Sequence, residues 1–168
     1  MAKAAPDGHT LGLFIEQQMV VNPSLYTMPF DVVKDFAPIS KVAATSLIVS
    51  VNTALPIKSL RDLVAMAKAK PGAMNHGTAS IGSSSHMNMS LFKQMAGVQM
   101  MHIPYNGGNP AQLALLSGQV DFNIDNLATA AANIAAGKLL PLAISSAQRS
   151  PLLPQVPTLS ETLPGLVI

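Results

Sequence analysis

The chain contains no cysteine and no tryptophan, and aromatic residues make up only 4% of its 168 residues. The missing cysteines exclude disulfides, thiolate metal sites and a cysteine nucleophile. Only 11% of the residues are charged, the net charge is +2, and the lysines and arginines are scattered along the sequence. A nucleic-acid surface needs clustered cations and usually stacking rings, so no nucleic-acid partner is expected.

Long apolar runs are missing as well. The apolar stretches stop well short of the roughly 20 residues that a membrane-spanning helix requires. The first eight residues hold one cation and no apolar segment, so we do not expect a secretory signal there. Hydrophobic residues nevertheless make up 49% of the chain. That proportion, with so little charge, predicts a folded domain with a real core.

Short apolar strands alternate with amphipathic helices. We predict strands at residues 10–15, 46–51, 73–78, 100–103, 120–124 and 139–145. Between them we predict a helix that Ser59 caps, a helix with Met87, Leu91 and Met95 on its core face, and helices at 110–117 and 128–136. This order is typical of βαβ units, so the predicted fold class is α/β, with a mostly parallel sheet flanked by helices.

The segment from Gly77 to His86 is the most informative for function. It is rich in serine and glycine and lies between a predicted strand and a predicted helix, where ligands collect in parallel sheets. Ser80, Ser83, Ser84 and Ser85 could offer hydroxyl donors, and the first amides of the helix could bind a carboxylate. The alternative is that Ser84 or Ser85 caps the helix without any ligand.

Two more polar segments follow predicted strands. Tyr105, Asn106 and Gly107 form one, and Asp125 with Asn126 forms the other. Because the carboxyl ends of parallel strands meet at one edge of a sheet, we expect both segments beside the serine-rich loop, around a small-molecule cleft. The alternative for Asp125 and Asn126 is a helix-entry cap.

Other chemistry finds little support. Gly77 and Gly82 have P-loop spacing, but Ser83 stands where that motif requires lysine. The region also lacks the second glycine of a nucleophile elbow, so a serine-dependent hydrolase or transferase that uses His86 and Asp125 is the alternative function and not the preferred one. The four histidines lack the spacing of metal ligands, and we expect structural roles for His76 and His102 and a loop-bracing or capping role for His86. No metal and no cofactor is predicted.

A series of short motifs resembles the Bug-receptor family, the periplasmic solute-binding proteins of tripartite tricarboxylate transporters. The motifs span nearly the whole chain: PDGHTL (6–11), NPSLY (22–26), DFAP (35–38), KAKPG (68–72), GSSSH (82–86), IPY (103–105), GQVD (118–121), DN (125–126), AGKL (136–139), RSP (149–151) and VPT (156–158).

The resemblance implies two α/β lobes, as in type II periplasmic binding proteins, that close on a small organic acid and deliver it to the membrane subunits of a transporter. It implies that residues 47–145 form a complete second lobe. Residues 1–46 and 146–168 would be crossovers and parts of an incomplete first lobe, so the chain would be shortened at both ends. The implied location is the periplasm, the implied activity is binding and not catalysis, and an uncovered sheet would favour self-association.

The residues expected to contact the ligand come from four strand-end segments. The first lobe would contribute Glu16 and Gln17. Glu16 would repel an acidic ligand, so we expect that the ligand carries an amine, that it is neutral or a mono-acid, or that Glu16 faces solvent. The second lobe would contribute the remainder, namely Thr78, Ser80, Gly82, Ser83, Ser84, Tyr105, Asn106, Gly107, Asp125 and Asn126.

Overall fold

The computed structural model describes residues 1–166, and the chain divides into two compact units. The N-terminal unit is Met1–Ala44, and the main unit begins at Thr45. This division does not test whether residues 1–46 and 146–168 belong to one lobe, which remains a prediction.

The N-terminal unit contains little regular structure. A short π-helical segment, Gln17–Val21, runs into a one-turn helix α1, Asn22–Leu25. The strand predicted at residues 10–15 does not form: the segment is irregular and exposed. No residue of this unit is fully buried. The apolar residues 10–15 therefore have no core within the unit against which a strand could pack. The ring of Phe36 makes edge-to-face contacts with those of Phe14 and Phe30, each with centroids 5.3 Å apart.

The main unit is one mixed sheet with helices. Its elements are β1 Leu47–Asn52, α2 Leu60–Ala69, β2 Asn75–Thr78, α3 Ser84–Ala96, β3 Met101–Pro104, α4 Gly108–Leu116, β4 Phe122–Asn126, α5 Leu127–Ala135, β5 Leu139–Ile144 and α6 Leu159–Thr162. The strand order is β3-β2-β4-β1-β5. The predicted strands from residue 46 onward and the predicted helices are therefore present, with ends shifted by a few residues.

One strand runs against the others. β2 is parallel to both β3 and β4, whereas β1 is antiparallel to β4 and β5. The parallel part was predicted from the strand–helix alternation. The antiparallel β1 was not, because the chain enters it from outside the repeating strand–helix units and the sequence of a buried strand carries no sign of its direction.

The packing of α3 corrects the sequence prediction. Met87, Leu91 and Met95 are 41%, 39% and 42% exposed, while Met89, Phe92 and Ala96 face the core. The helix has apolar residues on both faces, so its spacing alone could not select the buried face. By contrast, α2 buries Leu60, Leu63 and Ala67, and the Ser59 side chain accepts a hydrogen bond from the Asp62 amide, as predicted.

The proline-rich tail folds along β5. Thr158 forms a parallel bridge with Ile144, and Thr158 and Glu161 form a capping box at the start of α6. The guanidinium of Arg149 donates to Glu161, with Nε and Oε1 2.8 Å apart. Among the described residues, no helix has both the length and the apolar character to cross a membrane.

Candidate functional site

Three strand ends meet at one edge of the main sheet. The parallel strands β3, β2 and β4 are neighbours, and each leads into a helix, respectively α4, α3 and α5. Backbone hydrogen bonds hold two of the connecting loops together: the Tyr105 amide donates to the Thr78 carbonyl at 2.9 Å, and the Gly107 amide donates to the Ala79 carbonyl at 2.7 Å. The polar segments that were predicted to converge do lie side by side.

Buried Asn123 fixes the helix α4 to this edge. Its Oδ1 accepts a hydrogen bond from the Gly77 amide of β2 at 3.0 Å, and its Nδ2 donates to the Ala111 carbonyl of α4 at 2.9 Å. The Cβ atom of any larger residue at position 77 would lie 2.6 Å from this Oδ1, so glycine is required there. Asn123 was not predicted as a site residue, although a polar residue inside an apolar strand is a signal for such a bridge.

A cavity of about 290 Å³ opens beside these loops. Its walls come from residues 106–110, from Asp125, Asn126 and Thr129, and from Ala79. Four of the predicted ligand residues therefore line it, namely Asn106, Gly107, Asp125 and Asn126. Asn109, Pro110 and Thr129 were not predicted, because they belong to the first turns of helices and not to the strand-end loops.

Two helices begin at this cavity without a side-chain cap. The N-cap residues of α4 and α5 are Gly107 and Asn126, and neither makes a side-chain capping hydrogen bond. The helices α2 and α3, in contrast, are capped by Ser59 and Ser83. The Leu127 amide of α5 donates to the Ser46 carbonyl at 3.0 Å, and Pro110 of α4 has no amide hydrogen. The other first-turn amides of the two helices lack a capping side chain and carry a partial positive charge. The wall of the cavity is therefore suited to an anion.

Asp125 contributes a negative charge to the same wall. Its Oδ1 accepts a hydrogen bond from the Asn126 amide at 2.7 Å. Its Oδ2 is buried and receives no hydrogen bond from any residue that the structure describes. Burial raises the pKa of Asp125, and the hydrogen bond from Asn126 offsets part of that effect. Asp125 and Asn126 were alternatively predicted to cap a helix. Asn126 is at the N-cap position of α5, but its side chain makes no capping hydrogen bond.

The hydroxyls of the serine-rich loop are largely used within the loop. Ser83 Oγ accepts from the amides of Ser80 and His86 and donates to the Ser80 carbonyl, while Ser85 Oγ accepts from the Ala79 amide. Ser83 is thus the helix cap, one residue before the positions considered in the sequence. These bonds hold the segment from residue 79 to residue 86 in one conformation.

The remaining predicted residues of the main unit lie outside the cavity wall. Thr78 is buried, and its Oγ1 is 2.6 Å from Nε2 of His102. Gly82 is buried with φ +77°, a conformation that favours glycine. Ser80 and Ser84 are half-buried in the loop. Tyr105 packs against an apolar cluster that includes Leu115 and Val120.

Three histidines stack behind the loop. The ring of His102 lies 5.1 Å from that of His76 and 4.3 Å from that of His86. Burial lowers the pKa of His76 to about 3 and that of His102 to about 4, with the Lys93 charge contributing to both. Among residues 1–166, no group of histidines and carboxylates is arranged to hold a metal ion.

The position of His86 argues against the hydrolase alternative. Its Nδ1 accepts a hydrogen bond from the Gly82 amide at 3.1 Å, which is the predicted loop-bracing role. A neutral imidazole that accepts at Nδ1 carries its proton on Nε2. The nitrogen that would take a proton from a serine nucleophile is therefore already protonated.

Glu16 and Gln17 belong to the N-terminal unit. Glu16 is exposed and Gln17 is half-buried at the start of the π-helical segment. Their predicted contact with a ligand remains a prediction.

Comparison with known proteins gives a consistent result. Residues 1–167 match the family described as tripartite tricarboxylate transporter family receptor. Protein BugT of Bordetella pertussis is 37% identical over 162 residues, which cover 95% of this chain and 50% of BugT. The chain therefore spans about half the length of this relative.

Solved structures resemble the chain over similar lengths. A structure described as a periplasmic transporter has a TM-score of 0.89 and 33% identity, covering 98% of this chain and 56% of that one. The R. palustris protein Rpa4515 with adipate has a TM-score of 0.81 and 36% identity, covering 84% of this chain and 48% of that one. Both support the α/β fold of a periplasmic binding protein, present here in part.

Proposed function

Because the chain belongs to the tripartite tricarboxylate transporter receptor family, we propose that it carries the carboxylate-binding wall of an extracytoplasmic solute receptor. The receptor captures a small organic acid in the periplasm and presents it to the membrane subunits of the transporter. Its activity is binding, without chemical conversion of the ligand. A relative of known structure holds adipate, which is a small dicarboxylate.

The observation that carries this proposal is the cavity at the uncapped starts of α4 and α5. A carboxylate placed there accepts hydrogen bonds from first-turn amides and is attracted by the positive ends of two helix dipoles. The side chains of Asn106 and Asn126 line the same space and can add neutral donors. An anion therefore binds without a lysine or arginine, and no cation lines this cavity among the described residues.

The other predicted residues have supporting roles in this proposal. The loop that contains Ser80, Gly82, Ser83 and Ser84 forms the rim beside Ala79, and its internal hydrogen bonds keep that rim in place. Thr78 and Tyr105 anchor the two loops to the sheet. A contact of Glu16 and Gln17 with the ligand stays a prediction of the family resemblance.

Thermal melting of the purified chain tests the proposal. A ligand that binds only the folded state raises the melting temperature as its concentration exceeds the dissociation constant. We expect a dose-dependent rise with one or more mono-, di- or tricarboxylates and no rise with the corresponding neutral amides. No rise with any acid at millimolar concentration would overturn the proposal.

A matched pair of variants locates the site. Thr129 is in the first turn of α5 and lines the cavity, whereas Thr53 is an exposed residue outside it. Thr129→Asp places a carboxylate where acidic residues favour a helix, so folding is preserved. We expect it to weaken acid binding at least tenfold, because two charges ~5 Å apart repel by about 3 kcal/mol at an effective dielectric constant near 20. Thr53→Asp adds the same charge and should leave binding unchanged; equal effects of the two would contradict the assignment.

A further inference from the structure

Asp125 is a feature that a simple anion site does not require. Asp125 is 8% exposed, lines the cavity and lies against Gly108, the first residue of α4. Its oxygens are 3.1 and 3.2 Å from the position that a Cβ atom on Gly108 would occupy. A buried negative charge in this place repels a second carboxylate and lowers the affinity for an acid that offers nothing else.

The hydrogen bonds of Asp125 are incomplete. Oδ1 accepts from the Asn126 amide, but Oδ2 has no donor among the described residues. A buried acceptor without a donor is unfavourable, and native structures rarely leave one without a reason. Rotation about the Cβ–Cγ bond of aspartate is soft, so a small rotation presents the second oxygen to a donor in the cavity.

We infer that Asp125 is the specificity-determining residue of this site and accepts a hydrogen bond from a hydroxyl or ammonium group next to the ligand carboxylate. The ligand class is then hydroxy- or amino-carboxylic acids. This inference deepens the proposed function and rests on it. The ligand carboxylate lies at the starts of the two helices, and its neighbouring donor completes the hydrogen bonds of Asp125.

The charges explain why the donor matters. A ligand ammonium group cancels the repulsion from Asp125 and forms a charge-assisted hydrogen bond. A hydroxyl group forms the hydrogen bond without cancelling the charge. An unsubstituted acid does neither, so the expected order of affinity is amino acid, hydroxy acid, unsubstituted acid. If Asp125 serves only as an internal partner for the α4 dipole, its removal lowers stability but leaves this order unchanged.

Aspartate, malate and succinate test the inference, because they share one four-carbon skeleton and differ by an ammonium group, a hydroxyl group or hydrogen. Isothermal titration of the wild-type chain at pH 7.5 should give affinities for aspartate and malate about tenfold above that for succinate. Asp125→Asn keeps the oxygen that accepts from the Asn126 amide and removes the charge. In this variant the preference should fall below about threefold, and succinate should bind more tightly than to the wild type.

The controls separate the possible failures. Asp62→Asn makes the same substitution on an exposed residue of α2 outside the cavity and should keep the wild-type order. Equal affinities of the wild type for all three acids, or an unchanged order in Asp125→Asn, would overturn the inference while leaving acid binding in place. Failure of the wild type to bind any acid overturns the proposed function and the inference together. If Asp125→Asn does not fold, Asp125→Ser offers the Asn126 amide an uncharged acceptor. The affinities of that variant for aspartate, malate and succinate then test the inference in the same way.

Discussion

His76 is the buried residue with the strongest effect on how stability should depend on pH. It lies in β2, stacks on His102 and is flanked by Phe122 at 5.7 Å. Neither ring nitrogen has a hydrogen-bond partner among the described residues. Burial, with smaller contributions from Lys93, His102 and His86, lowers its pKa to about 3. The folded state therefore holds His76 neutral at a pH where an unfolded chain would already be protonated.

The sign of the pH effect follows from linkage. The unfolded state binds a proton at His76 as pH falls below about 6.5, whereas the folded state does not until about pH 3. The contribution of His76 to the free energy of unfolding should thus be constant above about pH 7 and fall by about 1.4 kcal/mol per pH unit between pH 6 and pH 4. His102, which is more exposed, should add a smaller decrease.

Urea denaturation at several pH values between 7 and 4 measures this dependence. His76→Leu removes the titrating group from an apolar position of similar volume, so its stability should depend less steeply on pH. His9→Leu changes an exposed histidine of the N-terminal unit and serves as the control. A slope in His76→Leu as steep as in the wild type would contradict the assignment.

At the scale of a single element, the helix α3 shows which structural features could be predicted from the sequence and which could not. Its existence and its start near Ser83 could be predicted, because serine caps and apolar periodicity are local properties. Its buried face could not, since Met87, Leu91 and Met95 are as apolar as the residues that do face the core. The sheet on which the helix packs decides between two such faces, and that contact is not local.

The same division applies to the candidate site. The three loops at the strand ends could be predicted, because the strand–helix order places them at one edge. Asn109 and Thr129 were missed, because their contribution depends on which helices lack a cap. The serine-rich sequence predicted hydroxyl groups that contact a ligand. A hydroxyl that can bind a ligand can equally accept a hydrogen bond from an amide of its own loop, and the sequence does not distinguish the two. The direction of β1 could not be predicted from the sequence either, since it depends on the path of the chain before residue 47.

Neighbouring residues of α3 allow a direct test of the buried face. Phe92 is fully buried and Leu91 is 39% exposed. Phe92→Ala should lower the free energy of unfolding by about 3–5 kcal/mol, because it removes a buried ring and leaves a cavity. Leu91→Ala, in the same turn, should cost less than about 1 kcal/mol. Urea denaturation compares the two, and similar costs would mean that the helix faces the sheet differently.

At the scale of the whole molecule, apolar exposure is concentrated in the N-terminal unit. Leu13, Val33 and Val42 are 81%, 87% and 77% exposed, and no residue of this unit is fully buried. Relatives are about twice as long as this chain, and the motifs of the sequence predicted a partial first lobe. Apolar side chains that remain in contact with water favour association, so we expect copies of the chain to self-associate.

Size-exclusion chromatography with light scattering measures this association. We expect a mass above the 17.5 kDa of one chain that increases with concentration. Replacing Leu13, Val33 and Val42 together with lysine should shift the mass toward 17.5 kDa, because it removes apolar area and adds charge. A control variant replaces exposed Thr10, Thr27 and Ser40 with lysine, which adds the same charge without removing apolar area. If association depends on the apolar side chains, only the first variant dissociates; a single 17.5 kDa species of the wild type at every concentration would contradict the prediction.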